Sequence, residues 1–172
     1  IMSAASQPLT AVALGTVALG LALSITAAYA FSRYRFAGRR ALMLTFLLVN
    51  MFPIILLIIP LFVTMRVLGL LDTHLALVLA HSTFSIPFAT WMMTSYFDAI
   101  PRSLDEAALV DGCTPLGAMF KVVLPLAMPG VIATGIYIFI TSWNEYLYAS
   151  ILAGQQVRTL TVAVQTLIGE YE

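Results

Sequence analysis

Charged side chains are scarce in this chain, whose 172 residues include only eight basic and eight acidic ones. Charged residues make up 9% of the sequence and hydrophobic residues 61%, and the mean hydropathy is +0.99. A typical soluble domain has about 25% charged residues and about half apolar ones. Because so few charges cannot cover a water-facing surface, the composition excludes an ordinary soluble domain and indicates a protein embedded in lipid.

Cysteine, lysine and histidine are nearly absent as well. Cys113 is the single cysteine, so no disulfide can form within the chain. Lys121 is the single lysine, and Val122 follows it where a phosphate-binding P-loop needs Ser or Thr. With two histidines and no cluster of nucleophile and base or of metal ligands, the sequence indicates neither a catalytic nor a metal site. We therefore expect a chain that is not an enzyme and binds no cofactor of its own.

Long apolar stretches, by contrast, are plentiful. A helix needs about 20 mainly apolar residues to cross a bilayer. Pro53 and Pro60 fall in the second such stretch and predict a kinked span, since neighbouring helices can satisfy the freed carbonyls. The predicted fold is all-α, a polytopic transmembrane helix bundle that forms a single domain over residues 1–172. The predicted spans are residues 9–31, 41–65, 75–97 and 129–152.

The positions of the basic residues predict how the bundle is oriented. Four arginines lie between the first and second spans, and Arg102 and Lys121 lie between the third and fourth. Arg66 and Arg158 are the basic residues on the other side. Since basic residues collect in cytoplasmic loops, this excess predicts that both basic loops face the cytoplasm in a multi-pass plasma-membrane protein. The first span then starts outside the cell, which indicates a fragment without its upstream span.

The polar segment between the third and fourth spans has the pattern of two short helices. Ser103 and Glu106 have the spacing of a capping box, which starts a helix. Gly112 is placed to end that helix in a left-handed turn. Thr114 can cap a second helix that has Pro115 at its first position. We therefore expect a helical hairpin with a tight turn on the cytoplasmic side.

Both helices of this hairpin carry features of a contact surface. Ala107 and Ala108 leave the first helix low in profile, with Glu106 and Asp111 as polar groups. The second helix has one predicted apolar face, because apolar residues recur at helical spacing. Insertion into a groove of a soluble partner and an amphipathic hairpin at the lipid headgroups are both compatible with this pattern. The residues of the predicted apolar face are Leu116, Met119, Phe120 and Val123.

The spacing of residues in this segment resembles the EAA loop of binding-protein-dependent ABC importer permeases. Glu106-Ala107-Ala108 is followed after three residues by Gly112, and after nine more by Val122-Val123-Leu124-Pro125. The family pattern is E-A-A, three residues, G, nine residues, I-x-L-P, so Val122 stands where Ile is usual. Further segments resemble the sugar-importing branch of maltose-, glycerol-phosphate- and trehalose-type permeases. They are residues 33–40, 68–73, 86–88 and 143–146.

This resemblance implies a function and a set of partners. Subunits of this branch generally have six spans, so the chain is expected to lack one flanking span at each end. The expected function is to import a sugar by alternating access, driven by cytoplasmic ATPase subunits that bind the ATP and magnesium. The other expected partners are a second, different permease subunit, an external solute-binding protein and the lipid bilayer, with no role for nucleic acid. Within the loop at residues 98–128, the ATPase-coupling residues are expected to be Glu106, Ala107, Ala108, Asp111, Gly112, Leu124 and Pro125.

The fourth span contains candidate residues for the substrate pathway. Asn144 and Glu145 lie within it between the aromatic residues Trp143 and Tyr146. Aromatic faces with amide and carboxylate groups suit a sugar, and ionisable residues in spans are candidates for function. The alternative is an interfacial aromatic belt in which Glu145 is simply in water. His81, in the third span, has no companion ligand for a metal, so we expect it to line a cavity or a helix contact.

The sequence leaves two other functions open. An importer of the same class for a solute other than a sugar has the same loop. An ion-driven secondary transporter needs ionisable residues or broken helices near the middle of the bilayer. The first two spans, residues 9–31 and 41–65, contain no charged residue, which counts against the secondary transporter.

Overall fold

The computed structural model describes residues 2–145 and 147–153, and in this part of the chain every regular element is helical. A 3-10 turn, Ile54–Leu57, precedes α3, and a π-helical turn, Met119–Val123, lies between α6 and α7. The all-α prediction is therefore confirmed. The helices are α1 (Met2–Arg33), α2 (Arg39–Met51), α3 (Ile58–Val67), α4 (His74–Asp98), α5 (Ser103–Val110), α6 (Pro115–Ala118), α7 (Leu124–Leu126), α8 (Met128–Trp143) and α9 (Leu147–Leu152).

The first and third predicted spans are continuous helices. Leu9–Arg33 within α1 and His74–Asp98, which is α4, each supply 25 residues that are long and apolar enough to cross a membrane. Pro87 lies inside α4 without interrupting it. A proline is tolerated in such a helix where neighbouring groups satisfy the carbonyl that it leaves free. Both predictions are confirmed.

The second predicted span is bent at Pro53, as expected, whereas Pro60 lies in the first turn of α3 and does not interrupt it. The helical segments Arg39–Met51 and Ile55–Val67 meet at an angle of 96°. Phe52 takes an extended conformation (φ −74°, ψ 132°) immediately before Pro53. The residue before a proline is driven out of the helical region by a clash with the ring, so the chain has to leave the helix there. A short 3-10 turn then leads into α3.

The fourth span is not the single helix predicted for residues 129–152. α8 ends at Trp143 and α9 begins at Leu147. The Asn144 side-chain amide donates to the Ile140 carbonyl (2.9 Å), and the Glu145 carboxylate accepts from the backbone N–H of Tyr148 (2.9 Å). Such bonds between side chains and backbone compete with the regular helical ladder. This competition is a physical reason for the break.

α4 is the central helix, and it packs against α1, α2, α8 and α9. Near the start of α4, Ala76, Leu77 and Ala80 pack with Val12 of α1 and Tyr148 of α9. Near its end, a second core cluster joins α4 to the end of α1 and to the π-helical turn. α1 and α4 are therefore parallel and finish at the same end of the bundle, which we call the basic end. Its core cluster consists of Ala28, Tyr29, Met93, Phe97, Met119, Val123 and Ala127.

Small residues on α1 allow close contact with the neighbouring helices. Gly20, Ser24 and Ala28 recur at four-residue steps, and the last two are completely buried. A Cβ added at Gly20 would lie 2.9 Å from Cδ1 of Ile138 in α8. Such stripes let helix backbones approach each other in lipid, and the missing side chain of Gly20 leaves room for Ile138 of α8.

Candidate functional site

α5 starts one residue earlier than a capping box requires. Arg102 is the N-cap residue and makes no side-chain cap, and Ser103 is already helical. The backbone N–H of Leu104 donates to Pro101 (3.2 Å) and that of Glu106 donates to Arg102 (3.1 Å). The predicted capping box is therefore wrong. The cause is that Arg102 has helical dihedral angles, so the Ser103 hydroxyl lies past the position that reaches the free N–H groups.

The turn between α5 and α6 has the predicted geometry. Gly112 has φ +86°, and Asp111 is the C-cap residue of α5. The N–H of Gly112 donates to Leu109 (3.1 Å) and that of Cys113 donates to Ala108 (2.9 Å), which is the Schellman pattern. A Cβ at Gly112 would meet no atom within 4 Å. The backbone angle, not the available space, is thus the reason for glycine.

The start of α6 is also as predicted. The Thr114 hydroxyl accepts a hydrogen bond from the backbone N–H of Gly117 (3.1 Å). Pro115 occupies the first turn of this helix, where the missing N–H costs nothing. The capped start of α6 at Thr114 is therefore confirmed.

The predicted apolar face of the second helix is divided between two surroundings. Met119 and Val123 are buried in the core cluster at the basic end, whereas Leu116 and Phe120 are more than half exposed. The helix widens into a π-helical turn over Met119–Val123. Because this turn has more residues than an α-helical one, it rotates residues away from the face that α-helical spacing predicts. The prediction of a single apolar face on the second helix is therefore wrong.

The outer surface of the helix pair, which we define as eight exposed residues of α5, the turn, α6 and the start of the π-helical turn, combines acidic and apolar groups. Val110 has 87% of its surface exposed, and Leu109 beside it is also exposed. Apolar groups exposed together outside a core mark contact sites. The outer surface consists of Glu106, Ala107, Leu109, Val110, Asp111, Gly112, Leu116 and Phe120.

The remaining predicted coupling residues lie on the inner side or beyond the pair. Ala108 is on the buried side of α5. Leu124 is partly buried against the core cluster at the basic end, and Pro125 is exposed in α7. The segment Pro115–Leu126 meets α8 at 81°. Movement of the pair would therefore act on the start of α8 across a sharp corner.

A buried carboxylate that sequence reasoning missed holds α5 to α1. Asp105 is 8% exposed, and its Oδ1 accepts a hydrogen bond from the Tyr29 hydroxyl (2.9 Å). Its Oδ2 lies 2.9 Å from Nε of Arg33. The signal in the sequence was the i, i+4 spacing of Tyr29 and Arg33, which puts both on one helix face. Nothing in the sequence, however, indicated which acidic residue that face would meet.

A second polar group lies beside this one at the basic end. The Ser32 hydroxyl donates to Oδ1 of Asp98 (2.6 Å), and Nη2 of Arg102 donates to the Ser32 carbonyl (2.6 Å). Nη2 of Arg33 donates to the Ile100 carbonyl (3.2 Å). The end of α1 is therefore bonded to the end of α4 and to the connection that leads into α5.

A cavity of about 240 Å³ lies between α2, α4, α8 and α9. Nδ1 of His81 lies 2.7 Å from Oγ of Ser142, and its Nε2 lies 3.4 Å from Oε2 of Glu145. The Tyr148 hydroxyl is buried without a hydrogen-bond partner among the described residues. The cavity thus offers carboxylate, imidazole, hydroxyl and aromatic groups. Its lining consists of Asn50, Phe52, His81, Phe84, Ser85, Tyr137, Thr141, Ser142, Glu145 and Tyr148.

The predicted pathway residues are separated by the structure. Glu145 lines the cavity with its side chain only 12% exposed, so it is not in open water. Asn144 is exposed and bonded to its own helix, and Trp143 stacks on Phe139 with 5.3 Å between ring centroids. Tyr146 lies outside the described residues. His81 lines the cavity, as expected, and the described residues contain no group of three potential ligands for a metal.

Comparison with known proteins identifies the family of this chain. The chain belongs to the family of binding-protein-dependent transport system inner membrane components, whose profile matches residues 20–169. The family resemblance carried by the EAA-type spacing is therefore confirmed. The solved structure of a bacterial ABC transporter involved in the import of the acidic polysaccharide alginate is similar, with 28% identity and a TM-score of 0.84. The alignment covers 98% of this chain and 59% of that chain.

Individual relatives are similar across most of this chain. The sulfoquinovosyl glycerol transport system permease protein SmoH of Agrobacterium fabrum is 43% identical over 161 residues, which cover 93% of this chain and 56% of that protein. The trehalose transport system permease protein SugB of Mycobacterium tuberculosis is 41% identical over 155 residues, covering 90% and 57%. The chain therefore spans just over half the length of these relatives.

Proposed function

We propose that this chain is the membrane-spanning part of a permease subunit that imports a sugar and is coupled through the α5–α6 helix pair to a separate ATPase. The ATPase subunits would bind ATP and magnesium in the cytoplasm, at the basic end of the bundle. A second, different permease subunit and an external solute-binding protein would complete the transporter. Transport would then proceed by alternating access.

The observation that carries this proposal is the outer surface of the helix pair. Val110 is almost fully exposed, while Glu106 beside it can accept hydrogen bonds from a partner. An apolar group of this kind gains free energy when a partner removes it from water. The Schellman turn at Gly112 and the cap at Thr114 hold the two short helices in a defined hairpin. A rigid, partly apolar hairpin suits a groove on a soluble partner better than it suits water.

The sugar is supported by the chemistry of the cavity and by the names of the relatives. Sugars present hydroxyl groups together with apolar ring faces. Glu145, Ser142 and Asn50 offer hydrogen bonds, while Phe84 and Tyr148 are stacked with 5.8 Å between their centroids. SmoH and SugB are named for sulfoquinovosyl glycerol and for trehalose. A polyhydroxylated solute therefore fits both lines of support.

The docking role is tested by purifying the complete subunit together with its tagged ATPase. Val110→Asp and Glu106→Lys are expected to lower the amount of ATPase recovered, because the few residues that carry most of an interface's binding energy each cost about 2 kcal/mol or more when truncated. Ala37→Lys, which adds a charge to an exposed loop at the same end of the bundle, is the control. Unchanged recovery with both variants would overturn the docking role.

The substrate class is tested with the complete transporter in vesicles. ATP hydrolysis is measured with the external binding protein and, in turn, trehalose, maltose or an amino acid. We expect a sugar to stimulate hydrolysis, since only a bound solute would favour the closed complex. If only the amino acid stimulates hydrolysis, the transported solute is not a sugar.

The ion-driven transporter that the sequence left open gives way to the ATP-driven importer. The chain belongs to the family of binding-protein-dependent transport system inner membrane components, and SmoH and SugB are transport system permease proteins. We therefore interpret the ionisable pair His81 and Glu145 as part of the cavity lining.

A further inference from the structure

The contact between α1 and α5 depends on polar side chains. The described backbone of α5 packs mainly on α6 and the π-helical turn, not on α1. Its buried residues are Asp105 and Ala108. Alanine buries little apolar surface, so the hydrophobic effect gives α5 only a weak hold on the bundle. The contacts of Asp105 are therefore the main link between this helix and the first span.

The geometry of this link fixes orientation as well as distance. Tyr29 binds one oxygen of the Asp105 carboxylate and Arg33 faces the other, at 2.9 Å in each case. The Tyr29 hydroxyl also lies 3.3 Å from the Pro115 carbonyl in α6. Two partners one helical turn apart on α1 thus hold one carboxylate, and α5 cannot rotate without breaking a contact.

The energetic cost of burying Asp105 and Arg33 indicates that their ion pair fixes the orientation of α5. A buried ion pair often contributes no more stability than apolar side chains of the same volume would. The described contacts supply no closer cationic partner for Asp105 than Arg33. A pair that adds little net stability still sets a unique geometry, because any other arrangement leaves a buried charge unpaired.

We propose that Asp105 is a positioning residue that, through Arg33 and Tyr29, makes α5 and the end of α1 move as one unit. ATPase closure against α5 would then move the first span directly, in addition to its action on α8. This proposal rests on the proposed docking of an ATPase on the helix pair. It adds a transmission route through residues outside the EAA-type pattern.

The test uses the complete subunit in its assembled transporter, with Cys113 replaced by serine and Ser85→Cys as a reporter in the cavity. The rate at which N-ethylmaleimide modifies this thiol is measured with and without ATP, and ATP hydrolysis is measured in parallel. Without further substitution, ATP should change the rate at least about fivefold, the low end of ordinary allosteric coupling. With Asp105→Asn, hydrolysis should continue while the change falls below about twofold.

Two further variants separate positioning from folding. Tyr29→Phe removes the hydroxyl that contacts Asp105 and the Pro115 carbonyl but keeps the ion pair with Arg33, so it should lower the ATP-dependent change in the labelling rate only partly. The double variant Arg33→Asp and Asp105→Arg exchanges the two charges. It should restore at least half of the ATP-dependent change in the labelling rate, even if Asp105→Asn alone fails to assemble. Ser103→Ala, on the same helix but outside the link, is the control and should leave the change intact.

The outcomes distinguish this inference from the proposed function. An ATP-dependent change that survives in Asp105→Asn overturns the positioning role alone. Asp105→Asn could instead lower ATP hydrolysis and the ATP-dependent change in labelling by the same factor, with no recovery in the charge-exchanged variant. That result would indicate a merely structural role for Asp105 and would also overturn the positioning role. Failure of the unsubstituted subunit to bind any ATPase would overturn the proposed function itself, and the transmission route with it.

Discussion

Polar side chains are buried near both ends of α4, but they are arranged differently at the two ends. At the basic end, the Tyr29 hydroxyl donates a hydrogen bond to Oδ1 of Asp105, and Nε of Arg33 lies 2.9 Å from Oδ2 as an ion pair. At the other end, His81 and Glu145 stand 3.4 Å apart beside a cavity, and the Tyr148 hydroxyl has no partner in the described part of the chain. A closed set of contacts suits a fixed joint between helices. An open set leaves polar groups for a solute, since buried polar groups otherwise find partners.

The largest effect of a substitution is expected at the end of the bundle that contains the cavity, and it would sharpen this contrast. Glu145→Ala removes the cap of α9 and the carboxylate of the cavity, and each buried group left without a partner costs about 1–3 kcal/mol. We expect sugar uptake to fall about tenfold to a hundredfold, with ATPase binding unchanged. Radiolabelled uptake into vesicles, alongside recovery of the ATPase, is the measurement.

Two neighbouring substitutions serve as controls for Glu145. Glu145→Gln keeps an acceptor for the Tyr148 N–H and should retain more uptake than the alanine variant. Asn144→Ala alters an exposed residue that does not line the cavity. If Asn144→Ala lowers uptake as much as Glu145→Ala does, the cavity is not the place where the solute binds.

The second effect concerns the helix pair at the basic end. Gly112→Val places a β-branched residue at φ +86°, which costs about 1–2 kcal/mol in the left-handed region. We expect ATP hydrolysis coupled to transport to fall up to about tenfold. Gly112→Asn, which tolerates this conformation, should lose much less. Transport by the valine variant at the unsubstituted rate would show that the turn has no part in coupling.

The smallest effect separates the two hydroxyl residues of the same helix pair. Thr114→Ala removes the cap on the Gly117 N–H and should destabilise α6 by about 1 kcal/mol. Ser103→Ala removes no cap and should stay within about 0.5 kcal/mol. Hydrogen exchange of the Gly117 amide should therefore be faster only in the threonine variant. Equal exchange in both would mean that the Thr114 hydroxyl does not hold the start of α6.

The sequence predicted features that depend on neighbouring residues. The turn at Gly112 and the cap at Thr114 follow from residues within one helical turn of each other. The bend before Pro53 is equally local. The break at Asn144 was missed, since apolar composition alone favours a continuous span and does not show that side chains will bind the backbone. The capping box at Ser103 failed by one residue, a common uncertainty for helix ends.

What the sequence alone determined is the all-helical membrane fold, because composition and the length of apolar stretches dictate how the backbone must satisfy its polar groups in lipid. The local chemistry of the α5–α6 turn was also present in it. Only the tertiary structure decided which distant side chains meet. Asp105 joins Arg33 across 72 positions of the chain, and His81 meets Ser142 across 61. Such contacts depend on how whole helices pack, and no short stretch of sequence contains that information.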